Sequence, residues 1–208
     1  MDILKLAGKT PIMVPYDLKA GDIIGFSGRH WYSAAINICT LGIPYHSISH
    51  VGIVSHMLDG CYGGRLLMFE STDEPGDPCE VKGKIVAGVQ AHSPYRSIEY
   101  YNGKVWHYPL HRRLYLHEEC RLTGFLDSML GLPYDNPGAV RSGGFFFSML
   151  ESAFRGQDLS RLFCSELVAA SLSATGIFHT TNASRWSPNK LIRRLRLEGI
   201  IHAPRRLK

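Results

Sequence analysis

At 208 residues the chain is long enough to bury one good core, and a single domain over 1–208 is the expectation. An apolar content of 45% and a charged content of 20% are ordinary for a globular protein, and no run of residues approaches the length of a membrane span. The net charge of +5 gathers near the C-terminus, at Lys190, Arg193, Arg194, Arg196, Arg205, Arg206 and Lys208, without interleaved aromatics for base stacking, so there is no firm nucleic-acid signal.

The first residues, Met1-Asp2-Ile3-Leu4-Lys5, lack the basic-then-apolar pattern of a secretory signal. Gly21-Asp22 then reads as a turn into a short strand, Ile23-Ile24-Gly25-Phe26. Residues 31–40 carry apolar positions at helical spacing, stopped by Gly42-Ile43-Pro44. Strand-like runs follow at 50–55, 65–70 and 104–109, with a weaker one around 85–90 and a Pro-, Gly- and acid-rich loop at 73–77. A helix over roughly 117–130 ends at Gly131-Leu132-Pro133.

Residues 136–160 break the pattern, with Phe145, Phe146 and Phe147 in a row and Phe154 beyond. Two readings stand: ordinary core packing, or an apolar lid or wall over a cleft. An amphipathic helix starts at Cys164, turns Leu167, Val168 and Leu172 inward and stops at Gly176. A short basic helix over 188–195 precedes a disorganised basic tail, 197–208, whose charge is that of a solvated surface or one open to an anionic surface. This order of elements predicts an α+β fold with a mainly antiparallel sheet packed against helices.

Five cysteines, Cys39, Cys61, Cys79, Cys120 and Cys164, are an odd number at irregular spacing, which predicts reduced thiols and a cytoplasmic setting, in a virion or host cytoplasm included. Cys164 stands apart, in Phe163-Cys164-Ser165-Glu166 at a helix start. Unpaired N–H groups and the positive dipole end there favour a thiolate, whereas a cysteine such as Cys39, inside an apolar helix, reads as structural. Thiolate chemistry also needs an imidazole to move a proton. Of ten histidines, His50 alone opens a β-branched run, Ser49-His50-Val51-Gly52-Ile53-Val54, with Gly52 allowing close approach to the backbone.

Glu70 can fix the tautomer of His50 if the two share a face on neighbouring strands, by period-two alternation; a surface carboxylate at a strand end is the competing reading. A metal centre is disfavoured. His46 and His50 span a turn rather than a helix, His107, His111 and His117 cluster without further ligands, and no Cys-x-x-Cys or His-Glu-x-x-His occurs. No cofactor is expected, and no Gly-x-Ser-x-Gly elbow points to a serine hydrolase.

Taken in order, Leu18-Lys19-Ala20-Gly21-Asp22-Ile23-Ile24, Ser49-His50-Val51-Gly52, Leu67-Met68-Phe69-Glu70-Ser71, Gly88-Val89-Gln90, Lys104-Val105-Trp106, Gly131-Leu132-Pro133-Tyr134-Asp135, Phe163-Cys164-Ser165-Glu166 and Ser187-Pro188 form a series. It resembles the circularly permuted branch of the NlpC-like papain-fold hydrolases, especially the YiiX/YebB-like group and more distantly the lecithin retinol acyltransferases. The resemblance covers roughly residues 18–195, with 1–16 and 136–160 unmatched. It implies a permuted papain-like fold in which histidine precedes cysteine, with Cys164 as nucleophile, His50 as base then acid, Glu70 orienting His50, and Tyr134 beside the triad as an oxyanion donor or pocket wall.

The expected activity is that of a cysteine hydrolase cleaving an amide or ester bond through an acyl-thioester. The substrate would be a peptide, a lipid amide or another acyl compound, the phenylalanine run favouring an apolar group. The alternatives are a non-catalytic papain-fold structural or binding protein, such as a virion component, and a lipid acyltransferase or lipase on the same fold.

Overall fold

The computed structural model describes residues 16–28, 48–57, 64–72, 76–132, 164–180 and 186–208. Their backbone is organised around one six-stranded sheet: β1 (Ile23–Gly28), β2 (His50–His56), β3 (Leu66–Thr72), β4 (Gly88–His92), β5 (Gly103–Tyr108) and β6 (Arg205–Arg206). The strand order is β4-β3-β2-β1-β5-β6, and every neighbouring pair is antiparallel. Four helices belong to the described residues: α1 (Pro94–Tyr100), α2 (Leu116–Met129), α3 (Cys164–Ala174) and α4 (Pro188–Leu197). An antiparallel sheet with helices is the expected α+β class. The predicted helix at 31–40, the segment 136–160, Cys39, Cys61, His46 and Tyr134 lie outside the described residues.

Alternation along the strands makes two apolar faces. Ile23, Val51, Ile53, Leu67, Phe69, Val89 and Ala91 turn towards α2, α3 and α4, joining Leu122, Leu126, Leu167, Val168, Leu172 and Leu191 in one core. Each fully buried Leu or Val is worth about 1.5–3 kcal/mol of transfer free energy, so this layer supplies the bulk of the hydrophobic drive. On the reverse face Ile24, Phe26, Val54, Met68 and Val105 form a smaller core with Leu18 and with Ile98 of α1.

The turn into β1 is built as its residues suggest. Gly21 takes a φ of 89°, a conformation glycine adopts without strain. Beside it the buried Asp22 carboxylate accepts the backbone N–H groups of Lys19 and Leu110 (both 3.0 Å) and the His107 Nε2–H (2.7 Å). That pairing gives His107 a structural partner rather than a place in a histidine cluster.

Three elements differ from expectation. The helix at Cys164 is not amphipathic: nine consecutive residues, Cys164 to Leu172, are buried. It lies against β2, β3, α2 and α4, and the small residues Ala169 and Ala170 let it approach closely. The two-turn helix α1 was not anticipated, being too short to display periodicity; Pro94 starts it and Ile98 anchors it. The basic tail is ordered, because β5 would otherwise be an open edge. Ile201 bridges to Leu110, Arg205 and Arg206 pair with His107 and Trp106, and the Leu207 N–H donates to the Val105 carbonyl.

Candidate active site

His50 is the first residue of β2 and Glu70 lies on β3. The registers put Phe26 opposite His50 and Gln90 opposite Glu70. The β2–β3 register continues to Gly52 opposite Glu70, which makes His50 and Glu70 diagonal neighbours on one face. At that spacing the His50 Nε2 and a Glu70 oxygen stand 2.7 Å apart, a charge-assisted hydrogen bond with the imidazole donating. The Phe26 ring lies 5.8 Å from the imidazole centroid and limits its swing.

Cys164 occupies the first turn of α3, whose N-terminus reaches the start of β2. It is close enough to His50 to act on the imidazole's charge. Of the four site residues expected from the sequence, His50 and Glu70 are bonded to one another, Cys164 acts on the charge of His50, and Tyr134 lies outside the described residues. Cys164 retains 9% of its surface.

Burial disfavours the imidazolium, but the neighbouring Cys164 and the hydrogen-bonded Glu70 carboxylate outweigh it and hold the His50 pKa well above the ordinary histidine value. Burial likewise works against the Glu70 carboxylate, yet the His50 hydrogen bond and charge, aided by His92, keep its pKa below the usual range. The arrangement favours a protonated imidazole beside the Glu70 carboxylate.

Gly52 does not serve the purpose expected of it. A Cβ there would meet Met68 Cγ at 2.8 Å and Sδ at 2.9 Å, so Met68 fills the space that a substrate or the cysteine was expected to use. Sequence reasoning also missed the residues that brace the site. Ser165 donates its hydroxyl to the Trp186 carbonyl, and Asn189 Oδ1 accepts the Ile48 N–H at 2.9 Å. Both bonds tie the strand of His50 and the helix of Cys164 to the start of α4. The polar residue just after Ser187-Pro188 was the available signal for the second. Gln90, 3% exposed, and His92 share the Glu70 face, as alternation along β4 could have told.

Among the described residues no three His, Cys, Asp or Glu side chains are gathered so as to hold a metal ion. A cavity of about 330 Å³ lined by Leu110, His111, Arg112, Gly176, Ile177, Gly199 and Ile200 lies at the C-terminal end of α3, away from Cys164. No helix among the described residues is long and apolar enough to cross a membrane.

No protein-family model matches the chain, and no curated protein matches it. Among solved structures it is similar to the crystal structure of metalloprotein yiiX from Escherichia coli O157:H7, with 20% identity, 76% of this chain and 67% of that chain covered, and a TM-score of 0.46.

Proposed function

We propose that the protein is a cysteine hydrolase of the permuted papain-like (NlpC-like) type, cleaving an amide or ester bond. The observation that carries this reading is the 2.7 Å bond between His50 and Glu70 beside Cys164 at the start of α3, whose thiol acts on the charge of His50. In the proposed reaction the Cys164 sulfur attacks the carbonyl carbon and the carbonyl oxygen takes up negative charge. N–H groups in the first turn of α3, at the positive end of the helix dipole, stabilise it. The His50 imidazolium gives its proton to the leaving amine or alcohol, producing an acyl-thioester. Neutral His50 then takes a proton from water, which attacks the thioester and frees acid and thiolate. Another acceptor in place of water would make the enzyme a transferase. Glu70 holds the ring orientation and stabilises its charge throughout. Tyr134 is proposed, from the resemblance alone, as an additional oxyanion donor.

The test is Cys164→Ala, assayed on acyl-amide, ester and cell-wall peptide probes, with circular dichroism to verify the fold. Loss of turnover by at least about 10³-fold is expected; undiminished turnover rules the mechanism out. In the wild-type protein Cys164 should be alkylated faster near neutral pH than Cys120, which is exposed and serves as the reference thiol. Slow alkylation, with no probe turned over, would favour a non-catalytic binding protein.

A further inference from the structure

Helix α4 buries Pro188, Leu191, Ile192 and Leu195 and turns Lys190, Arg193, Arg194 and Leu197 outward. Those four residues follow the i, i+3, i+4, i+7 spacing of a single helical stripe. Three are cations and the fourth, Leu197, is 78% exposed, the most exposed of the large apolar residues described.

Helix physics alone accounts for only part of this stripe. Arg194 lies in the last turn, where the dipole favours cations, and it pairs with Glu198. Lys190 lies in the first turn, where the dipole disfavours positive charge and no acidic residue offsets it. Lys190 also repels Arg193 at i+3 and Arg194 at i+4. Solvation tolerates such a stripe, but it does not favour a leucine set among the charges.

We infer that this face of α4 docks the protein on an anionic lipid surface, the cations meeting phosphate and carboxylate headgroups while Leu197 enters the boundary below them. Charge complementarity and the exposed leucine choose this occupant. A nucleic acid would use the same cations but would gain from aromatic residues, and the stripe has none. The helix is also tied to both elements of the candidate site. Its first turn carries Asn189, bonded to the Ile48 N–H, and it follows Trp186, bonded to Ser165 beside Cys164.

The test is cosedimentation of the full chain with vesicles of equal parts phosphatidylserine and phosphatidylcholine, against vesicles of phosphatidylcholine alone. Binding to the first, little to the second, and weakening as salt rises are expected. The triple variant Lys190→Gln/Arg193→Gln/Arg194→Gln should bind about 100-fold more weakly, at roughly fivefold per charge. Leu197→Gln should lower vesicle binding about tenfold while leaving binding to a single-stranded oligonucleotide unchanged.

No cosedimentation with the anionic vesicles overturns the proposal, as does equal binding by the triple variant. Oligonucleotide binding tighter than vesicle binding, with Leu197→Gln inert on both, transfers the face to nucleic acid and also overturns it. If the triple variant does not fold, Arg193→Gln alone, expected to lose about fivefold, carries the same decision. The readout is binding, so it stands or fails separately from turnover at Cys164.

Discussion

The Asn189 side chain, in the first turn of α4, accepts the backbone N–H of Ile48, tying the chain two residues before His50 to a helix 141 positions further along. Ile48 is 1% exposed, so water cannot replace that acceptor. Asn189→Ala is expected to destabilise the protein by about 1–3 kcal/mol, the penalty for a buried N–H left without a partner. Urea unfolding measures it. Asn189→Asp, which keeps an oxygen in place, should recover a large part of the loss.

The His50 imidazole should titrate well above the ordinary value of 6.5. A pKa raised on folding adds stability that is complete below the unfolded value and fades as pH rises through the folded one. The interactions that raise it should therefore stabilise the protein most on the acidic side of that window. Glu70→Gln removes the carboxylate partner and should lower the His50 midpoint, as read by imidazole NMR shifts. An unmoved midpoint would separate Glu70 from the histidine. Turnover should also fall, by about 10²–10⁴-fold.

Gly52→Ala places a methyl group within 2.8 Å of Met68 Cγ and 3.1 Å of the Phe69 carbonyl oxygen. A cost of about 1–3 kcal/mol is expected from this overpacking. Adding Met68→Ala should relieve part of it, so the double mutant should be more stable than the sum of the two single changes, a coupling visible in a thermodynamic cycle. Simple additivity would mean that Met68 does not occupy that space.

Asp22 gathers two backbone N–H groups and His107 at the turn into β1, with both side chains 5% exposed. Asp22→Ala strands all three donors and should cost about 3–5 kcal/mol. Asp22→Asn keeps an acceptor but loses the charge, and should fall between. Thermal melts of the two variants give the comparison.

The pair His50 and Glu70 was legible in the sequence because strands alternate: two strand-like runs and one assumption of adjacency put both side chains on one face. Cys164 was legible because a helix start next to polar residues is an unusual place for a cysteine. What the sequence hid is long-range. Nothing local to Asn189 reveals that its acceptor serves Ile48, and nothing local to Ser165 reveals the Trp186 carbonyl. The ordered C-terminal segment escaped notice for a related reason. Arg205 and Arg206 have no strand pattern of their own and are held by the unpaired edge of β5. The burial of α3 on all sides was obscured by Ser165, Glu166 and Ser171, which suggested a wet face where neighbouring elements provide cover.

That enclosure of α3 has a kinetic meaning. A helix with no solvent-facing side over nine residues cannot fray independently, so its amides should exchange with deuterium only when the entire molecule opens. The sulfur at its start is then mounted on the slowest-exchanging part of the chain, and heat should dislodge it only at the global melting transition.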